Sequence, residues 1–263
     1  MNVFVFDIET VPDVAGARRI HALPDHLSDA AVASALFARR RQHTGSDFLP
    51  LYMHRVVAIA AVLRSGDRFK VWSLGDEDSA EAELIARFFD GIDRFSPDLV
   101  SWNGGGFDLP VLHHRALLHG ISAPRYWESG DEDQVFRWNN YLSRFHQRHT
   151  DLMDVLAGYQ PRAAAPLDHV ATLCGFPGKL GMSGAGVWDA FRAGRIADIR
   201  AYCESDVVNT FLLWLRYQLM RGRVDRTGYD AEIARVRATL EHSDGAHWRA
   251  FLEAWDDGAS RQA

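Results

Sequence analysis

Hydrophobic and polar positions alternate in blocks along the chain, and each block predicts an element. Residues 3–8 are β-branched and aromatic and read as a buried strand. Over residues 24–41 the spacing turns helical: Leu27, Ala30, Ala31, Ser34 and Ala35 share a face, and Arg39, Arg40 and Arg41 follow. Residues 56–63 and 68–74 read as strands, and Gly66-Asp67 between them predicts an antiparallel hairpin. In 79–95, Leu84, Ile85, Phe88, Phe89 and Ile92 recur at helical spacing. A short strand over 98–102, a glycine loop and a helix over 108–119 follow. Residues 123–148 are aromatic and charged without a clean period, which predicts an insertion or irregular surface. Short helices fit 151–158, 166–174 and 187–192. The longest helix is predicted over 196–221, with a buried stripe of Ile199, Cys203, Val207, Thr210, Phe211 and Trp214. Trp248, Phe251, Leu252 and Trp255, at i, i+3, i+4 and i+7, predict a tail that docks on the body.

This order predicts an α/β fold with a mixed central β-sheet flanked by helices. The early hairpin argues against a purely parallel, doubly wound sheet. No GxGxxG follows the first strand and no GxxxxGK[ST] occurs, so dinucleotide and P-loop readings lose their support. The longest apolar run, 56–63, falls short of the roughly 20 residues of a membrane span. The opening MNVFVFDIET lacks a basic region and carries Asp7, so no secretory signal is expected. Cys174 and Cys203 form neither a disulfide framework nor a zinc cluster, which points to a reducing, cytoplasmic setting. A net charge of −6 excludes binding of nucleic acid by bulk positive charge and leaves local binding through metal ions open.

Three groups of residues could carry chemistry. Asp7 and Glu9 are two apart on a strand and point to one face, between apolar neighbours. Two adjacent carboxylates repel unless a proton or cation lies between them. Five further acidic pairs share that spacing: Asp76/Asp78, Glu81/Glu83, Asp131/Asp133, Glu204/Asp206 and Asp230/Glu232. Four of these lie in polar surroundings that predict a solvated face. The second group is Trp102-Asn103-Gly104-Gly105-Gly106-Phe107-Asp108-Leu109-Pro110. Asp108 reads either as the N-cap of the following helix or as a site carboxylate brought beside Asp7, with the glycines allowing a backbone or ligand to approach. The third is Tyr202 and Asp206, four apart on the long helix, either facing the sheet or simply packing and solvated. Together they offer four carboxylates, the donor set that hard divalent cations such as Mg or Mn prefer. Two such ions about 4 Å apart form the clamp used in phosphodiester cleavage.

These residues resemble the three motifs of the DnaQ-like 3′–5′ exonucleases, which share a ribonuclease H-like fold. The first is Phe6-Asp7-Ile8-Glu9-Thr10, the second Asn103-x-x-x-Phe107-Asp108 and the third Tyr202-x-x-x-Asp206. The spacing is that of the tyrosine (DEDDy) subgroup; Ala201 stands where the histidine subgroup has His. NGGGFDLPVL and YCESDVVNTFLLWLRY resemble in particular the predicted exonucleases similar to the proofreading domain of family B DNA polymerases. The resemblance implies a metal-dependent 3′–5′ exonuclease acting on single-stranded nucleic acid 3′ ends, DNA before RNA. It implies two divalent cations, with Asp7, Glu9 and Asp206 on one and Asp7 bridging to a second supported by Asp108. Tyr202 would orient the attacking water, Thr10 and Asn103 would contact the terminal nucleotide, and Phe107 would pack on a base or in the core. Lys179 would contact a phosphate or merely be an exposed lysine. The exonuclease domain is expected over 1–223, with a helical insertion at about 24–48 and a C-terminal helical extension over 224–263. A non-catalytic binding module on the same fold is the alternative.

Overall fold

Alternation along the first strand sets the frame. In the computed structural model, which describes residues 2–260, β1 (Asn2–Pro12) turns Val3 and Val5 to one side and Phe4, Phe6 and Ile8 to the other. The other strands are β2 (His54–Ser65), β3 (Arg68–Ser73), β4 (Asp98–Ser101) and β5 (His149–Asp151). They form one sheet in the order β3-β2-β1-β4-β5. β1 runs antiparallel to β2 and parallel to β4, β4 is parallel to β5, and β2–β3 is the expected hairpin. The helices are α1 (Val14–His21), α2 (Asp29–Thr44), α3 (Glu81–Phe95), α4 (Asp108–His119), α5 (Pro124–Trp127), α6 (Leu152–Leu156), α7 (Leu167–Leu173), α8 (Val187–Arg192), α9 (Ile196–Met220), α10 (Arg226–Glu241) and α11 (Ala246–Ser260).

α9 lies across β1 and β2, and Ile199, Cys203, Val207 and Phe211 join Val3, Val5, Ala58 and Ala60 in one core layer. α3 and α4 cover the opposite face, where Phe88, Phe89 and Leu112 pack on Phe4, Phe6 and Ile59. This mixed sheet between helical layers is the ribonuclease H-like α/β arrangement expected. α10 and α11 extend the α9 layer, and Trp248, Phe251 and Trp255 are buried there. Each such aromatic contributes about 1.5–3 kcal/mol of burial, enough to hold the tail. No helix among the described residues is long and apolar enough to cross a membrane.

The structure departs from expectation in four places. The helix expected from residue 24 starts at Asp29, because Ser28 caps it by accepting from the Ala31 N–H at 3.2 Å. An unexpected α1 precedes it, capped by Asp13, whose Oδ1 accepts from the Gly16 N–H at 2.8 Å. The 123–148 segment is not mere surface: Tyr126, Phe136 and Tyr141 are fully buried in the α3–α4 layer. Arg125 and Arg148 lie over the Phe136 ring at 4.1 and 3.9 Å, which offsets the absence of regular structure. β5 occupies the start of the helix expected from residue 151, which is shortened to Leu152–Leu156.

Candidate active and metal site

Asp7 and Glu9 share the parity of Val3 and Val5, so both face the α9 layer. The β1–β2 register shifts just beyond them, between Glu9 and Thr10, and such a bulge re-aims the next side chain. From α9, Cys203 points at Asp7, and its Sγ lies 3.4 Å from both Asp7 O and Asp7 Oδ2. One donor atom each from Asp7, Glu9 and Cys203 falls within 4.8 Å of the others. Asp206, one turn along α9, accepts a hydrogen bond from the Tyr202 hydroxyl.

Asp108 arrives from the other side of β1. The β1–β4 pairing ends at Val5, which leaves the Ile8 N–H on that edge without a strand partner. Asp108 Oδ1 accepts from it at 3.1 Å. Asp108 is therefore not the cap of α4; Phe107 holds that position, without a side-chain hydrogen bond. The glycine loop between β4 and α4 is organised by Asp151. Its two carboxylate oxygens accept from the Asn103 and Gly105 N–H groups, each at 2.9 Å. A Cβ on Gly104 would lie 2.2 Å from Ser101 Oγ, so this glycine admits the protein's own side chain rather than a ligand.

Burial and like charge dominate the electrostatics. Burial, then the charges of Asp108, Glu9 and Asp206, hold Asp7 well above the usual carboxylate range. Glu9 is raised similarly by burial, Asp206 and Asp108. Burial lifts Asp108 to about 7 and Asp206 to about 6, with the Tyr202 hydrogen bond and Lys179 pulling Asp206 down. Tyr202 is pushed strongly up by burial and by the carboxylates, so its phenol stays protonated. Lys179 is exposed, yet its ammonium lies 5.4 Å from the Tyr202 ring centroid and its charge favours the ionised forms of Glu9 and Asp206. Asn209 holds it there: its carboxamide donates to Gly178 O at 2.8 Å and accepts from Gly178 N–H at 3.3 Å. Four carboxylates facing one exposed ammonium fit a set of divalent cations, which would replace the protons that burial now favours.

The remaining sequence candidates fall into two places. Thr10 and Phe107 line a cleft of about 810 Å³ that also reaches Glu9. Thr10 Oγ1 is 2.8 Å from His54 Nδ1, and the half-buried Phe107 ring packs 5.2 Å from His54 and 5.6 Å from Phe48. Asn103 instead shapes the loop, at φ 63°, with its carbonyl accepting from the Gly106 and Phe107 N–H groups. Sequence reading missed Cys203, Asp151, Asn209 and His54 at the site. Only Cys203 carried a signal, as the buried residue beside Tyr202.

The family model described as "Predicted 3'-5' exonuclease related to the exonuclease domain of PolB" matches residues 46–255. That span contains Asp108, Tyr202 and Asp206 and starts after β1, so Asp7 and Glu9 join the site by geometry. No curated protein matches the chain.

Proposed function

The chain belongs to the family of predicted 3′–5′ exonucleases related to the exonuclease domain of PolB, and we propose that it removes nucleotides from single-stranded 3′ ends with divalent cations. The convergence of four carboxylates from β1, α4 and α9, opposed among the described residues by the exposed Lys179, carries this reading. Asp7, Glu9 and Asp206 would hold one cation, and Asp7 with Asp108 a second. Bound Mg or Mn supplies charge neutralisation at the phosphodiester and lowers the pKa of a water molecule.

The chain's own groups do the positioning. Tyr202 stays protonated, so it orients water rather than deprotonating it. Lys179 steadies a phosphate at the rim. Thr10 and Phe107 receive the terminal nucleotide in the cleft beside Glu9, and Asn103 acts through the loop that carries Asp108. DNA is favoured by the kinship with a DNA polymerase's exonuclease. We take the exonuclease unit as 1–223 and 224–263 as a C-terminal extension, whose described residues add α10 and α11 to the α9 layer. Both cysteines are free, in keeping with a cytoplasmic setting.

The test is end-labelled single-stranded DNA and RNA incubated with the protein in Mg²⁺ or Mn²⁺. Stepwise shortening from the 3′ end, stopped by chelation, is expected. No shortening with any metal or substrate would overturn the reading.

A further inference from the structure

Thr10 is the polar side chain next to Glu9 on the wall of the cleft, and what it can offer a ligand depends on His54. His54 Nε2 lies 3.2 Å from Leu49 O. A carbonyl only accepts, so Nε2 carries the ring proton. Burial holds the imidazole neutral, which leaves Nδ1 with a lone pair. Thr10 Oγ1, 2.8 Å from Nδ1, must then donate its one proton to the ring. Toward the cleft, Thr10 presents lone pairs alone. Its neighbour on the cleft wall, Glu9, is also an acceptor when ionised. Phe48, Phe107 and Trp188 supply aromatic wall that suits a base or sugar face, while Arg41, also on the lining, is paired with Asp47 at 2.8 Å.

We infer that His54 is a positioning residue that makes Thr10 an obligate acceptor, so that the cleft recognises the donor hydroxyl of a 3′-terminal sugar. This rests on the proposed exonuclease reading and adds a residue to it. A 3′-hydroxyl end satisfies the acceptor. A 3′-hydrogen end leaves it unpaired, and a 3′-phosphate end sets acceptors and negative charge against it.

The experiment compares one short single-stranded DNA ending in 3′-hydroxyl, 3′-hydrogen or 3′-phosphate, in Mn²⁺, with wild type, His54→Phe, His54→Asn and Thr10→Val. Wild type should prefer 3′-hydroxyl over 3′-hydrogen by about tenfold in kcat/KM, the worth of one well-placed hydrogen bond. Thr10→Val should bring that ratio near one. His54→Phe keeps the ring between Phe48 and Phe107 and should lower the ratio several-fold, mainly through KM. His54→Asn, whose amide oxygen can replace Nδ1, should restore part of it. A merely structural His54 would slow all three ends alike and leave the ratio unchanged, which overturns the inference. Nitrogen NMR of the wild-type imidazole gives an independent reading that needs no variant to fold. The Nε2–H tautomer supports the assignment, and a protonated Nδ1 overturns it. Absence of any 3′ shortening by wild type would instead strike the exonuclease reading, whatever the tautomer.

Discussion

Two acidic clusters, one beside β1 and one just past its C-terminal end, are treated in opposite ways. At one, Asp13 and Glu81 meet Arg115. Its guanidinium donates to Glu81 Oε1 and Oε2 at 2.8 and 2.5 Å and to Asp13 Oδ2 at 2.5 Å. His119 Nε2 and the Val56 N–H complete the partners of Glu81 at 2.8 and 2.7 Å. At the other, Asp7, Glu9, Asp108 and Asp206 face each other, Cys203, Tyr202 and one exposed lysine. The first cluster is complete with protein groups alone and ties α1, α3 and α4 together. The second is complete only with protons or with cations from outside. A buried carboxylate thus speaks for function when the described residues around it leave its charge under-compensated.

Removing one acidic group should separate the clusters most sharply. Asp7→Asn should cut exonuclease activity by about a thousandfold or more, in line with losing preorganised charge at a reacting centre. Its metal-free melting temperature should equal or exceed wild type, because a repulsive charge is gone. Glu81→Gln should instead lower stability by about 3–5 kcal/mol, since Arg115 is left buried and under-compensated. Denaturant unfolding and an activity assay on both variants read this out; the reverse pattern would erase the distinction.

A smaller effect should follow Tyr202→Phe: turnover slower by about 10–100-fold, the scale of a lost positioning or proton-handling group, with Mn²⁺ affinity near wild type by calorimetry. Unchanged turnover would remove Tyr202 from the reaction.

Titration should then distinguish the site without mutation. Asp108 sits at about 7 in the folded metal-free protein against an ordinary 3.8. Its contribution to stability is present in full below about 4 and is lost as pH rises through about 7. Unfolding in chelator should show falling stability from pH 5 to pH 8, and Asp108→Asn should flatten that slope. For the same reason Mn²⁺ affinity should rise over this range, with proton release. A metal-free protein that gains stability toward pH 8 would contradict the assignment. The smallest effect belongs to Lys179→Met, a rise in KM of about threefold that fades as salt increases.

What could be read from the sequence follows from how local each signal is. α4 was expected over its observed residues, with Pro110 suited to its first turn; in the structure Gly120 ends it in the left-handed region. α8 was likewise expected over its observed bounds. β5 has three residues, too few for alternation to register. The burial of Tyr126, Phe136 and Tyr141 was hidden because irregular backbone leaves no period. At the site, the spacings Asp7/Glu9 and Tyr202/Asp206 are local and were legible. Asp151, Asn209 and His54 act through hydrogen bonds to residues 31 to 48 positions away, which no spacing reveals. The same blindness affected the other acidic pairs. Four of the five were expected on solvated faces, yet Glu81 and Glu232, from two of the pairs, are buried against Arg115 and Arg64.

The most direct measurement is anomalous diffraction from crystals of the protein soaked in manganese. Manganese peaks among the carboxylates of Asp7, Glu9, Asp108 and Asp206 are the result expected of a cluster completed by cations. No peak there, with the four side chains protonated and bonded to one another, would contradict it.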